Sequence, residues 1–186
     1  MQLTPQSDRI AFWSFTSASA TFYAASSCLR ELRKKEGIAD SSLRYATACA
    51  FVVLYGRAFK QKKDVRLIED MVPDEFRALH KHLLTLRDKT FAHFDPDGPD
   101  PAAGVWNKAK ITARSGGFSA ALNYFILDEP SQQRAEELIS ELQKKCRYHS
   151  LKIWQRHMRR QPAPDGDYEV NLDPGMKPLL RPWKPL

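Results

Sequence analysis

The stretch IAFWSFTSASATFYAASSCL, residues 10–29, is the part of the chain that most restricts its class of fold, because its twenty residues carry no formal charge. A run of this length can span a bilayer or form a buried helix. Seven of the twenty residues are Ser or Thr, whereas a membrane span consists mostly of strongly apolar side chains. A signal peptide also fits poorly, because Asp8 and Arg9 precede the run and Ser14 interrupts its apolar start. We therefore expect a buried helix of a soluble protein.

Local signals define both ends of this helix. Thr4 or Ser7 can cap its start, and Pro5 suits the first helical position. The helix is expected to run to about Glu36, where Gly37 ends it. Its many alanines and serines allow another helix to approach closely. The face that carries these small residues is expected to pack within the molecule, in preference to forming a dimer interface.

The rest of the chain divides into further helices, a hairpin and a tail. Capping residues, apolar spacing and a Ser-Gly-Gly turn mark the elements. After Arg160 the chain contains half of its twelve prolines, so an extended or disordered tail is expected. We predict a mainly α domain over residues 1–160, with about four principal helices in a bundle and a small β excursion, and a proline-rich tail over 161–186. Its predicted elements after the first helix are a helix over 41–59, a helix from Pro73, a hairpin of 109–114 and 118–127, and a last helix opened by Asp128 and Pro130.

Charge and cysteine content limit the class of protein. The chain has 186 residues, with 29 Lys and Arg against 22 Asp and Glu, which gives a formal net charge of +7. This balance permits an anionic partner. The three cysteines are too few and too scattered for a disulfide framework or a paired metal motif. They are typical of reduced, buried thiols in a cytoplasmic protein, and they are Cys28, Cys49 and Cys146.

Arg57 is unusual because it continues the apolar stripe predicted for the second helix. An arginine on a buried stripe must be paired or must line a cleft. A structural ion pair is favoured, and a helper role in a working site is the alternative. The stripe consists of Leu43, Ala46, Thr47, Ala50, Val53 and Leu54.

The last helix is strongly basic towards its end. From residue 144 to residue 160 it carries seven basic residues and no acidic one. Cations near a helix C-terminus are stabilised by the helix dipole. Seven basic residues are more than this effect explains, so we favour a surface that faces phosphates. Its candidate residues are Lys144, Lys145, Arg147, Lys152 and Arg156.

Several common functional motifs are missing from the sequence. It contains no glycine-rich nucleotide loop, no HExxH and no GxSxG. His80 and His82 lie about 200° apart around a helix, so they cannot bind one metal ion together. Asp95, Asp97 and Asp100 resemble the start of a calcium-binding loop. Counted from Asp95, however, the sixth position is Asp100 instead of glycine and the twelfth is Trp106. We expect a polar turn there and no metal site.

The segment LRDKTFAHFD, residues 86–95, contains the remaining candidate motif. Five residues separate Arg87 from His93, and Asp88 follows the arginine. This pattern resembles the HEPN superfamily, whose small helical proteins carry an arginine, four to six residues and a histidine. The string is similar to the version in bacterial abortive-infection and toxin-type HEPN proteins. The upstream YGRAF, residues 55–59, is similar to relatives of that type, and the likeness in element order covers roughly residues 5–160.

The resemblance implies a metal-independent endoribonuclease that works as a homodimer, with the two motifs facing across the interface and no cofactor. RNA supplies its own nucleophile, the 2′-OH, and the products are a 2′,3′-cyclic phosphate and a 5′-OH. His93 can act as general base or acid near neutral pH. Arg87 can bind the phosphate and stabilise the extra charge of the transition state. Asp88 would orient or pair with either residue, and Lys89 joins the basic helix as a candidate RNA contact.

Helix geometry qualifies this assignment. Arg87 and His93 would point about 120° apart on an ideal helix, so either the helix ends or bends between them or a second subunit completes the site. His80 lies seven residues before Arg87 and on nearly the same face. It is a possible helper, although a hydrogen-bonded position at the edge of the core is favoured.

Three roles remain open for the motif: catalysis, RNA binding without cleavage, and a structural ion-pair network at a helix end. The leading interpretation is a ribonuclease toxin or phage-defence effector in the cytoplasm. A separately encoded antitoxin is then an expected partner, often a nucleotidyltransferase in this superfamily. The alternatives are a non-catalytic RNA-binding or protein-interaction module and a purely structural oligomerisation module.

Overall fold

A computed structural model of the chain describes residues 5–34, 41–61, 65–88, 109–122, 127–160, 166, 168–170 and 180–182. This part of the chain is mostly helical, which confirms the mainly α class. Two 3₁₀ turns, Glu69–Met71 and Asp74–Phe76, precede the third helix. The four α-helices are α1 (Pro5–Arg33), α2 (Ser41–Lys60), α3 (Arg77–Leu86) and α4 (Glu129–Arg160).

Helix α1 packs against both α2 and α4. Ala18 and Ala25 lie on its buried face, and such small side chains let the neighbouring helices approach closely. Phe22 is fully buried and meets the rings of Tyr55 and Phe59 on α2 at 5.9 and 6.1 Å between centroids. The uncharged stretch therefore forms the expected helix. Among the helices that the structure describes, none combines the length and the apolar content needed to cross a membrane.

Helix α2 has the predicted extent but buries a different face. Phe51 and Tyr55 are fully buried in the core, whereas Leu43 and Val53 of the predicted stripe are 55% and 39% exposed. Apolar residues surround most of this helix, so their spacing alone does not show which side faces inward. The aromatic side chains remove the largest apolar area from water, and they occupy the buried face.

Helix α3 begins one turn later than predicted. The residues after Pro73 form a 3₁₀ turn, in which the N–H of Phe76 donates to the carbonyl oxygen of Pro73 at 3.0 Å. Such turns are frequent at helix N-termini, and regular α-helix starts at Arg77. The apolar stripe predicted for this helix is confirmed as buried or half-buried, and it consists of Phe76, Leu79, Leu83 and Leu86.

Helix α4 begins as its capping signal predicts. The N–H of Ser131 donates to Asp128 Oδ1 at 2.9 Å, which satisfies one of the free donors of the first turn. Leu138, Leu142 and Cys146 are fully buried, as their spacing predicts. This face packs α4 against α1.

Two antiparallel strand pairs complete the described residues. β1 (Ala109–Arg114) and β2 (Gly117–Leu122) form the predicted hairpin, and Gly116 in its turn has φ of 106°. That value favours glycine. Leu127, the predicted end of the second strand, does not lie in a strand. β3 (Tyr168–Val170) pairs with β4 (Leu180–Pro182). The tail expected to be an extended or disordered arm therefore contains a short paired segment, while most of residues 161–186 lies outside the described residues.

Candidate functional site

The end of α3 places two residues of the predicted motif against the end of α2. After Leu86 the helix widens into a π turn that contains Arg87 and Asp88. The Arg87 side chain crosses α2 at Gly56, where an added Cβ would come within 3.0 Å of Arg87 Cδ. Glycine leaves this space free because it has no side chain. Gly56 therefore determines the path that the arginine takes across the helix.

Asp88 bridges two cations at this end of the helix pair. Arg87 Nη1 donates to Asp88 Oδ1 at 2.6 Å, and Lys60 Nζ pairs with Asp88 Oδ2 at 2.8 Å. Partial burial raises the pKa of Asp88, but the hydrogen bonds and charges of Lys60 and Arg87 outweigh it and hold that pKa below its usual value. The carboxylate is therefore ionised at neutral pH, and it positions the cations without supplying a proton.

Arg87 keeps hydrogen-bonding capacity after it has paired with Asp88. Its Nε atom is buried and has no hydrogen-bond partner within the described residues. The side chain as a whole is 28% exposed, so part of the guanidinium group is accessible. A buried donor without a partner is unfavourable by about 1–3 kcal/mol. The Nη groups keep donors besides the bond to Asp88, and a phosphate fits the planar set of donors of a guanidinium group.

His80 lies in the core between α2 and α3. Its Nδ1 is 2.7 Å from the hydroxyl oxygen of Tyr55, and its ring meets Phe59 edge-on at 4.5 Å between centroids. Burial lowers the pKa of His80. The charge of Glu69 raises that pKa and the charges of Lys60 and Lys81 lower it, so the net shift is downward. His80 thus occupies a hydrogen-bonded core position, which was the favoured alternative. Its role as a helper stays a prediction.

Arg57 does not belong to the buried stripe on which the sequence placed it. The structure buries the Tyr55 side of α2, so Arg57 is exposed. Within the described residues, no ion pair or hydrogen bond links it to Asp88 or Arg87. The expectation of a buried arginine is wrong because the predicted stripe has the wrong phase.

Some of the basic residues of α4 have partners within the fold, and others are exposed to solvent. Arg156 donates to both carboxylate oxygens of Asp8, at 2.9 and 3.1 Å, and Lys145 donates to the carbonyl oxygen of Met71 at 2.9 Å. Lys144 pairs with a glutamate one turn earlier. Arg156 and Lys145 therefore connect α4 to other parts of the fold, whereas the Lys144 pair lies on the surface of α4. Three candidates are exposed, Lys144, Arg147 and Lys152, and the last lies over the Tyr148 ring at 5.4 Å.

Part of the predicted site lies outside the described residues. This applies to His93 and Lys89, and to the whole acidic turn around Asp95, Asp97 and Asp100. The structure describes the α-helix up to Leu86 and the π turn that contains Arg87 and Asp88, so the expected angle between Arg87 and His93 stays a prediction. The structure thus defines the arginine–aspartate half of the motif.

The sequence contained a signal for this site that our interpretation overlooked. Glycine inside a helix is less stable than alanine by about 0.5–1 kcal/mol, so Gly56 within the apolar α2 indicated a close approach by another group. The sequence around Lys60 indicates a short charged connection over residues 60–63 and gives no sign of its partner. Lys60 pairs with Asp88 and completes the cluster.

Neither a metal-binding cluster within the described residues nor a known relative accompanies this site. The described ranges contain no group of three or more His, Cys, Asp or Glu side chains that could hold a metal ion. No family model matches the chain, and no curated protein or solved structure matches it either.

Proposed function

We propose that this chain is a metal-independent endoribonuclease of the HEPN type. The observation that carries the proposal is the posture of Arg87, which packs across Gly56 and pairs with Asp88 at the end of α3 while its side chain stays 28% exposed. An arginine that is fixed in place but retains free donors is suited to bind a phosphate without reorganisation. The Arg-x(5)-His spacing supplies the second part of the argument.

The proposed chemistry needs proton transfer and charge stabilisation. Arg87 binds the scissile phosphate and stabilises the charge that develops on it. Asp88 stays ionised and holds the guanidinium group, while Lys60 balances its charge. His93 removes the proton of the 2′-OH or protonates the leaving 5′-oxygen. The products are a 2′,3′-cyclic phosphate and a 5′-OH.

The proposal is tested by incubating the purified protein with total RNA and tRNA in EDTA. Arg87→Ala and His93→Ala are assayed beside it, with Arg77→Ala and His149→Gln as matched controls. Arg77 is an exposed arginine of the same helix, and His149 stacks on Phe15 at 4.9 Å. We expect cleavage by the wild type and by both controls only. Equal cleavage by all five proteins would contradict the proposal.

The biological setting is part of the same proposal. A homodimer with motifs facing each other would act as a toxin or phage-defence effector in the cytoplasm, restrained by a separately encoded antitoxin. If the two motifs form composite sites, mixing the Arg87→Ala and His93→Ala proteins restores cleavage through mixed dimers. The absence of any recovery after subunit exchange would contradict a composite site.

RNA binding without cleavage is the second candidate function. It is favoured by the Lys60–Asp88–Arg87 cluster, which suffices to bind an anion without any proton-transferring group. His93→Gln distinguishes the two candidates. The substitution abolishes cleavage under the first proposal, whereas under the second the wild type binds RNA without cutting it and His93→Gln binds equally well.

A further inference from the structure

A shallow cleft of about 330 Å³ lies beside the Arg87 cluster. Lys81, Leu84, Thr85 and Asp88 occupy positions i, i+3, i+4 and i+7, which places them on one face of the helix. Lys60 at the end of α2 closes the other side of the cleft. The cleft and Arg87 therefore share one wall, the Asp88 side chain.

The cleft is rich in donors for an anion. Lys81 and Thr85 are exposed, and within the described residues no carboxylate pairs with Lys81. Lys60 is 38% exposed, and its ammonium group donates one bond to Asp88 and retains two further donors. Three cations, including Arg87, thus stand against one carboxylate.

Asp88 links the cleft to the proposed catalytic arginine. Its Oδ1 accepts from Arg87 at 2.6 Å, and its Oδ2 pairs with Lys60 at 2.8 Å. The two cations are therefore separated by the width of a single carboxylate. An anion bound at Arg87 and a second anion bound in the cleft would therefore lie on opposite sides of the Asp88 carboxylate. Two successive phosphates of one RNA strand can occupy two such positions.

We propose that Lys60, Lys81 and Thr85 form a subsite for a second phosphate of the same RNA strand, next to the scissile phosphate at Arg87. This inference rests on the proposed function and specifies its substrate as a strand that continues past the cut. Lys81 supplies charge, Thr85 supplies a hydroxyl donor, and Lys60 is held in place by Asp88. Phosphate contacts of this kind position the strand and are independent of base sequence.

The subsite is tested by binding of a short, fluorescently labelled 2′-O-methyl RNA, which lacks the nucleophilic hydroxyl. Anisotropy titrations at several salt concentrations compare the wild type with Lys81→Gln and Thr85→Val. Lys34→Gln is the control, because this exposed lysine pairs with Glu31 at the far end of α1. We expect Lys81→Gln to weaken binding several-fold and to reduce the slope of log K against log salt by about 0.7. Thr85→Val is expected to weaken binding with little change of slope.

Unchanged binding by folded Lys81→Gln and Thr85→Val would overturn the subsite, as would a wild type that does not bind the oligonucleotide. Failure of the proposed function gives a different pattern. If no protein cleaves RNA but Lys81→Gln still loses affinity and slope, the subsite stands and the ribonuclease proposal falls. If cleavage requires Arg87 but Lys81→Gln binds RNA as well as the wild type does, the ribonuclease proposal is supported and the subsite is refuted.

Discussion

Replacing Gly56 by alanine separates the stability of the helix pair from the position of Arg87. A Cβ at this site would lie within 3.0 Å of Arg87 Cδ and 3.2 Å from Nε, whereas ordinary contact begins at 3.4 Å. The flexible arginine can withdraw, but its Cδ has to move by roughly 1 Å. A misplacement of that size in an active site lowers rates by about 100-fold. We therefore expect kcat/KM for RNA cleavage to fall by about 100-fold in Gly56→Ala.

The expected effect of Gly56→Ala on stability is small. Alanine in a helix interior is favoured over glycine by about 0.5–1 kcal/mol, which offsets part of the strain from moving Arg87. The free energy of unfolding, measured by urea denaturation, should therefore change by less than about 1 kcal/mol. Gly117→Ala is the matched control, because a Cβ there meets nothing within 4 Å. It should leave cleavage unchanged.

A double-mutant cycle shows whether the effect acts through Arg87. In the Arg87→Ala background the added Cβ of Gly56→Ala no longer meets the arginine, so the substitution should raise the free energy of unfolding by about 0.5–1 kcal/mol. The reasoning is refuted if folded Gly56→Ala cleaves RNA as fast as the wild type. It is also refuted if Gly56→Ala changes the free energy of unfolding by the same amount with and without Arg87.

Three further predictions concern the packing around the site. Tyr55→Phe leaves His80 Nδ1 buried without its partner and should lower the free energy of unfolding by about 1–3 kcal/mol, while Tyr148→Phe, at a 57% exposed position, should change it by less than about 0.5 kcal/mol. Arg156→Ala removes a charged partner of Asp8, whose side chain is 3% exposed, and urea denaturation should show a loss of about 1.5–3 kcal/mol. An unchanged midpoint would contradict a structural role. Because burial lowers the pKa of His80, the unfolded chain binds this proton first, so the wild type should lose stability as the pH falls below about 6.5 and His80→Gln should lose less over that range.

The sequence predicted those parts of the fold that have strong local signals. The cap at Asp128 and the Ser-Gly-Gly turn are satisfied by contacts within a few residues, and both elements formed where expected. The inward face of α2 could not be predicted in the same way. Its apolar residues surround the helix, and the choice of Phe51 and Tyr55 over Leu43 depends on how α1 packs against them.

The candidate site was predictable only in part for the same reason. The Arg87–Asp88 pair joins neighbours in the sequence, and the motif indicated it. Lys60 and Gly56 reach Arg87 and Asp88 from another helix, so their roles depend on the crossing of α2 and α3. The basic residues of α4 show why a count of charges does not predict a phosphate-binding surface. Arg156, for example, pairs with Asp8, which lies 148 positions away in the sequence.

The central claim is that RNA provides the nucleophile and this chain provides the groups around it. The most direct measurement uses two versions of one short RNA that the protein cleaves, identical except for a 2′-deoxy sugar at the cut position, with mass spectrometry of the products in EDTA. We predict a 2′,3′-cyclic phosphate and a 5′-OH from the ribose version and no cleavage at the deoxy position. Cleavage at the deoxy position, or products that end in a 3′-OH and a 5′-phosphate, would contradict the account.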